Sequence, residues 1–531
     1  MDLKLFRIGA FWLSISDTFH NISPIGMRAV SNWSFTFVIL AIPFALLAQP
    51  KESNIGRMFA KEETLEASGT IVDTIFIAGN EHTKRFVIRQ EFPFQEGDTL
   101  TMEALTIAQQ LTYNLQLFNL VNVSAKRFTP FAPVQIASSD TILMQVHELG
   151  QSKADELGRP YTLVFIEVYE RWFVFPQPIF DLRGVSLTQW LKKPTMSNVN
   201  AGVAVFHTNL TGYKDRLTMS FGVGFDPFFR LSYFTPYLWS ETRIGLGTSL
   251  VWRDLNNLAL DQRTGDVARF IQRTFSGSIS ISDRLSTYDF ISASFGYTTL
   301  RVNEETKQAQ PSATVSPDGE DLFPSFSFAY THSRLDFNQC PTDGIYLSTR
   351  FVKIGLPNNQ NKIDLTRASL DFRLYRKIIG NLSLGFYNLT VLSLNQPVPN
   401  HQRLFFGYDI LLRGYTDRIL EGDNLQLNTV ELRYPIVPLQ AVKLEFIPFE
   451  RFQIFQYGMF LTAFLDAGNV WYNTRSTGFG LRHVQYDFSR NKYGYGVGVV
   501  FVGGYEATAR LDFAFNQQGR FQIVIENEIS F

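Results

Sequence analysis

The sequence predicts a mainly β protein: a transmembrane antiparallel β-barrel preceded by one small α/β domain. Three observations predict it. Aromatic residues are too many for a soluble core, with 50 Phe and 21 Tyr in 531 residues. Stretches that alternate between apolar and small or polar residues recur in series beyond residue 200, as strands do when one face meets lipid and the other a polar lumen. The chain ends on such a strand, with Phe531 last. Opposite faces cancel in the averages: hydrophobic residues make up 45% and mean hydropathy is −0.03. A soluble sandwich or propeller would alternate too, but would not need the aromatic load, an export segment or this last strand.

At the N-terminus, residues 34–48 (SFTFVILAIPFALLA) form the only long apolar run. It is short for a membrane-spanning helix, and Pro43 interrupts it. Arg28 before it and Ala48 at its end fit a secretory signal peptide, with an anchoring helix as the alternative. Met27 directly precedes Arg28. Residues 1–48 therefore read as an upstream extension and signal peptide, with translation starting at Met1 or Met27, and residues 49–70 as a linker.

Residues 71–170 carry mixed signals. Ile71 to Ile77 alternates as a strand and meets the turn Ala78-Gly79-Asn80. Thr83 is placed to cap a short helix running to Gln90, and Pro93 and Gly97-Asp98 break the chain again. From Thr101 to Phe118, Leu105, Ala108, Leu111, Leu115 and Phe118 recur at helical steps. Leu120 to Phe128 returns to a period of two. The last strand is either Thr141–His147 or Tyr161–Tyr169.

Residues 171–531 hold the barrel. Glu170 to Pro178 sets Trp172 and two phenylalanines beside prolines, a composition suited to an interfacial collar. Leu217, Met219, Phe221, Val223 and Phe225 then alternate with Thr218, Ser220, Gly222 and Gly224. Ile244, Leu246 and Leu250 alternate with glycine and serine, as do Ile291, Phe295 and Tyr297. Tyr493, Tyr495, Val497, Val499 and Phe501 oppose Gly494, Gly496 and Gly498. On the final strand Phe521, Ile523, Ile525, Ile529 and Phe531 share one face, with Gln522, Glu526, Glu528 and Ser530 on the other. Many such stretches in series call for a closed sheet, because hydrocarbon cannot satisfy an open edge.

Charges fall on the inward parity. Val430, Leu432 and Tyr434 share a face, which leaves Glu431 and Arg433 inward; Asp466 and Asp512 are placed likewise. Within Arg403–Arg418, the centre Leu411-Leu412-Arg413-Gly414-Tyr415 sets a permanent cation among apolar residues. A guanidinium there needs a carboxylate, since an unpaired buried charge costs several kcal/mol (roughly 3–5).

Leu412-Arg413-Gly414-Tyr415 resembles the (V/L)RG(F/Y) signature of the Omp85 family of outer-membrane barrel assembly and translocation proteins. The resemblance implies a long extracellular loop folded back into a barrel of sixteen strands. Phe464-Leu465-Asp466-Ala467-Gly468 resembles that family's FxDxG strand motif, which implies that Asp466 engages Arg413, with Glu431 as a second candidate. The Glu170–Pro178 run resembles the barrel entry of Bacteroidetes-type members, and the last strand resembles the C-terminal β-signal of outer-membrane proteins. Ile77-Ala78-Gly79-Asn80, Gly97-Asp98 and Leu117 to Val123 resemble landmarks of a POTRA domain, whose order is strand, helix, helix, strand, strand. One such unit fits, which implies a periplasmic docking module with an exposed strand edge for an extended segment.

Other chemistry is absent from the sequence. Net charge is −1, with no basic field for nucleic acid. The single Cys340 excludes an intramolecular disulfide and stands far from any lipid-attachment position. No G-x-S-x-G, H-E-x-x-H or P-loop pattern occurs, and His147-Glu148 lacks a second histidine, so no enzyme activity, metal or cofactor is expected. The resemblance implies partners instead: the outer-membrane bilayer, unfolded outer-membrane protein clients, and periplasmic or surface lipoproteins. It implies insertion of such clients, or their passage to the surface, through a lateral seam. The alternatives are a barrel scaffold with a sealed seam that docks a lipoprotein, and a passive diffusion channel.

Overall fold

The computed structural model describes residues 58–132, 140–182, 196, 199–224, 226–239, 242–259, 268–309, 313–356, 363–395, 398–406, 410–416, 420–445, 447–448, 453–473, 485–503 and 507–529. The expected signal peptide, Phe225 and Phe531 lie outside them.

The small N-terminal region is a three-stranded sheet clad in helices. Helix α1 (Lys61–Ala67), within the stretch read as a linker, packs on the sheet. Strand β1 (Thr74–Ala78), helix α2 (Arg85–Arg89), helix α3 (Met102–Tyr113), strand β2 (Phe118–Phe128), helix α4 (Thr141–Leu157) and strand β3 (Tyr161–Glu170) follow. The sheet order is β1-β3-β2, with β1 parallel to β3. The strand–helix–helix–strand–strand order is thus interrupted by α4. Thr141–His147 is its first half: the Asp140 side chain accepts from the N–H groups of Ile142 and Leu143, and Gly158 ends it at φ 61°. These caps outweigh the local alternation.

Two other sequence expectations change. Thr83 caps nothing; α2 starts after Lys84 with no side-chain cap, and the Thr83 hydroxyl instead accepts from Asn209 Nδ2 at 3.0 Å. Helix α3 stops at Tyr113, short of Phe118, because the chain turns through Gln116 at φ 62°. Helices α2 and α3 cover one face of the sheet, where Val87, Ile88, Leu105 and Ala108 meet Ile75, Val123, Val164 and Ile166. Helix α4 covers the other, where Val146 and Ala154 meet Phe128, Leu163 and Phe165. Gly150 of α4 has no side chain because a Cβ would stand 2.2 Å from the Phe128 ring. His147 packs edge-on to Phe59 and Phe128, and burial, helped by Lys126, pushes its pKa down. The expected open edge is also partly taken on β2, where Ala125 N–H donates to Thr64 Oγ1 and the Val121 carbonyl accepts from Gln109 Nε2.

The remainder is one sixteen-stranded antiparallel sheet. Its first half is β4 (Val174–Leu182), β5 (Val199–His207), β6 (Arg216–Gly224), β7 (Phe228–Thr235), β8 (Ile244–Ala259), β9 (Ala268–Arg284), β10 (Asp289–Val302) and β11 (Glu320–Leu335). Then come β12 (Gly344–Gly355), β13 (Asp364–Ile379) and β14 (Leu382–Ser393). A two-stranded ladder, β15 (Leu404–Phe406) with β16 (Leu420–Gly422), interrupts the meander. The sheet resumes with β17 (Asn424–Lys443), β18 (Ile454–Trp471), β19 (Lys492–Val502), β20 (Ala507–Asn516) and β21 (Phe521–Ile529). Each strand pairs with the next of the sixteen, β14 joining β17 directly.

Alternation decides which face meets what. Met219, Phe221, Val223, Ile244, Leu246, Phe295 and Tyr297 are exposed outward, whereas Ser220, Ser249, Ser278 and Thr298 are buried inward. Phe501 departs from its exposed neighbours because it packs against Tyr457. On the first strand, Pro176 and Pro178 lack the N–H that a second ladder would use, which suits an edge.

The small region is tied to the turns between barrel strands. The His82 ring hydrogen-bonds the Asn209 carbonyl at 2.7 Å, Lys84 N–H donates to the Gly212 carbonyl, and Phe86 meets the Tyr237 ring edge-on at 5.1 Å. Farther along, Asn114 Nδ2 donates to the carbonyls of Leu335 and Asp336. The strongest tie is a buried bidentate pair, Arg284 to Glu91, with both contacts at 2.6 Å. Removing one partner of a buried pair leaves an uncompensated charge, at a cost of about 3–5 kcal/mol. Glu91→Ala should therefore loosen the region from the barrel, seen as faster amide exchange at 82–91 and 284–289, and Glu91→Ala with Arg284→Leu should recover part of that protection.

Candidate functional site

Between β14 and β17, the described residues 404–406 and 410–416 fold back onto the inner face of the sheet. Phe406, Ile410, Leu412 and Tyr415 pack against Leu389 and Val391 of β14, Leu425 and Leu427 of β17, and Val470 of β18. These wall residues share the inward parity of their strands, opposite exposed Leu384, Phe386, Val430 and Leu432. The apolar flanks of Arg413 thus anchor the loop and deliver its guanidinium to the wall.

Arg413 is 6% exposed. Its Nε and Nη2 donate to the two oxygens of Asp466, at 2.7 and 2.6 Å, and its backbone N–H donates to the same carboxylate at 3.3 Å. Nη1 donates to Glu431 at 3.1 Å and Asp512 at 3.3 Å. The guanidinium lies over the Phe464 ring, 3.5 Å from its centroid. Planar, forked and always charged, it makes contacts that lysine cannot reproduce.

Two further arginines complete the cluster. Arg433 donates to Glu431 at 2.8 Å and to the Pro341 carbonyl at 2.7 Å. Arg510 donates to Asp512 at 2.7 Å and also to Glu431. Thr429 adds a hydroxyl to Asp466 at 2.8 Å. Three guanidinium groups therefore face three carboxylates, all buried. Such a cluster is locally neutral only while the loop is seated.

Glycines supply the room. Gly494 of β19 lies under the motif, where a Cβ would stand 1.7 Å from the Arg413 carbonyl oxygen. Gly468 of β18 leaves space for Leu412 and Phe406, and Gly498 for the Asp512 carboxylate. Gly414 itself adopts φ +89°, a conformation costly to residues with a Cβ.

The structure thus brings together Leu412, Arg413, Gly414, Tyr415, Glu431, Asp466 and Gly468. It sets Phe521 and Ile523 apart, exposed on the outer face where Phe521 stacks on Phe513 and meets Phe515 at a tilt. Ile525 and Ile529 fall in β21. Sequence reasoning missed Arg510, although its parity with Asp512 was a usable signal, and Phe464 as the surface beneath the guanidinium. Among the described residues no group of His, Cys, Asp and Glu is arranged to hold a metal ion.

Gly494→Ala should displace the loop tip as effectively as Arg413→Ala, because the clash is with backbone. Proteolysis within 403–418 in membranes measures it: both variants should be cut at least about tenfold faster than wild type, a modest fraction of the roughly 3–5 kcal/mol of a broken buried pair.

No curated protein matches the chain in sequence. Among solved structures, the chain is similar to BamA from Haemophilus ducreyi lacking POTRA domains 1–3, at 15% identity, covering 86% of this chain and 84% of that one with a TM-score of 0.46. It is similar to CdiB from Escherichia coli at 13% identity, covering 86% and 75%, with a TM-score of 0.50, a likeness of fold. The Omp85 superfamily domain matches residues 209–529, more than half of the chain. The sixteen-stranded sheet with its small α/β region is therefore an outer-membrane β-barrel, and the protein belongs to the Omp85 superfamily.

Proposed function

We propose that the protein assists the insertion of outer-membrane proteins, or the passage of clients to the surface, through a lateral seam between its first and last strands. The observation that carries this reading is the Arg413 cluster. A loop held in the barrel by a neutral set of buried charges is a costly feature that a passive pore has no use for. Here residues of the loop pack against β14, β17 and β18 on the inner wall, where a diffusion channel would keep a clear path.

The seam is supported by strand chemistry. Strand β4 carries Pro176 and Pro178, and β4 and β21 stand at the two ends of the sheet order. Unpaired strand edges template the pairing of another chain, so a client strand would add there by backbone hydrogen bonding. Lipid insertion of the client drives the process, with no covalent step and no cofactor. The small α/β region acts as a single POTRA-type domain in the periplasm, positioned by its ties to the barrel turns. Its sheet is covered on both faces, so client or lipoprotein contacts fall on the helices and the remaining edge.

The test is reconstitution of the full-length protein in liposomes with an unfolded barrel client, scored by heat-modifiable gel mobility. Wild type should accelerate client folding several-fold, and Asp466→Ala should lose most of that acceleration while still inserting itself. Unaccelerated folding by wild type would favour a scaffold that docks a lipoprotein, and solute flux without folding would favour a pore.

A further inference from the structure

The arginine cluster ties the loop to β17, β18 and β20, but the loop tip also reaches the terminal strand. Thr416, directly after the Arg413 motif, donates both its backbone N–H, at 3.1 Å, and its hydroxyl, at 3.0 Å, to the side-chain carbonyl of Gln522 on β21. On the other side of Arg413, Leu411 packs with Phe464, Ala514 and Val524, the last also on β21. Between these contacts Gly414 lies against the backbone of β20, where a Cβ would be 2.9 Å from the Phe515 carbonyl oxygen. Gln522 and Val524 occupy the inward parity of the last strand, alternating with exposed Phe521 and Ile523.

Among the described residues, strand β21 has one neighbour in the sheet order, β20. An end strand gains only one ladder of hydrogen bonds, so contacts from its inner face weigh more than they would mid-sheet. The Gln522 carbonyl has two lone pairs and here takes two donors from a single residue. Its cross-strand partner is Ala514, fully buried and small, which leaves the loop tip space to reach it.

We propose that the loop tip clamps the terminal strand, with Thr416 and Gln522 coupling the seating of the Arg413 loop to the order of β21. This rests on the reading of β21 as one side of the seam and adds what holds that side closed. Gln522 is a positioning residue that acts through the loop. Coupling of this kind is reciprocal: unseating the loop frees β21, and drawing β21 away loosens the loop.

Hydrogen exchange of the full-length protein in lipid nanodiscs, read by mass spectrometry without client, tests it. Gln522→Leu, which removes the acceptor at similar size, should speed exchange of residues 521–529 about tenfold, the scale expected for two lost hydrogen bonds. Residues 403–406 and 410–416 should exchange faster as well. Gln522→Glu, which keeps an acceptor oxygen, should stay near wild type. Thr416→Val, which lies outside the terminal strand and retains the N–H, should fall between; it carries the test should Gln522→Leu fail to assemble. Unchanged exchange of 521–529 in Thr416→Val, and in Gln522→Leu where it assembles, would overturn the clamp. Because no client enters the measurement, its failure is distinguishable from failure of client folding.

Discussion

A guanidinium that cannot lose its proton has been brought into the protein interior, and the surrounding structure follows from that constraint. Arg413 is permanently charged, so burial is tolerable only where acceptors converge on it from several directions. They come from three strands that are distant in sequence: Glu431 on β17, Asp466 on β18 and Asp512 on β20. Three carboxylates that close would repel one another without compensation, and Arg433 and Arg510 supply the balance from the wall. The loop completes a charge set that the barrel alone leaves one cation short.

That arrangement determines where small residues must stand. Gly494, Gly468 and Gly498 keep the inner surface low where the motif and the Asp512 carboxylate sit. Apolar contacts do the remaining positioning, since Leu412 and Tyr415 enter one pocket of the wall and Leu411 another. The loop is therefore directed by ionic contacts and packed by apolar ones. At the end of β9, Arg284 uses the same device with Glu91 to hold the small region to the barrel. Both ties join segments far apart in the chain, so each restrains a movement between parts.

Much of this was legible in the sequence, for reasons that can be named. A period of two is a property of the strand itself, so Met219, Phe221 and Val223 revealed a lipid face without any knowledge of their neighbours. Periodicity could not count strands; that number came from a resemblance. The meeting of Arg413 with Asp466 also rested on two short motifs, since a sequence of alternating charges does not say which strands face one another. Glu91 with Arg284, and Thr416 with Gln522, had no local signal at all. Their partners are set by where turns and the loop land in three dimensions. Helix α4 is different: alternation leaves Thr141–His147 and Tyr161–Tyr169 as equal candidates for the last strand, and only the caps at Asp140 and Gly158 single out the first as helix. Thr83 has capping chemistry but accepts instead from Asn209, beyond the small region.

The central claim is that the loop is held by a specific ionic contact rather than by apolar packing alone. A double-mutant cycle on Arg413→Gln and Asp466→Asn, scored by the protection of residues 410–416 from hydrogen exchange in nanodiscs, addresses it directly. Each single change should loosen the loop, and the double change should cost less than their sum by about 2–3 kcal/mol, as for residues in one buried network. Additivity within roughly 0.5 kcal/mol would mean that the two side chains contribute independently, and that the ionic contact is not what seats the loop.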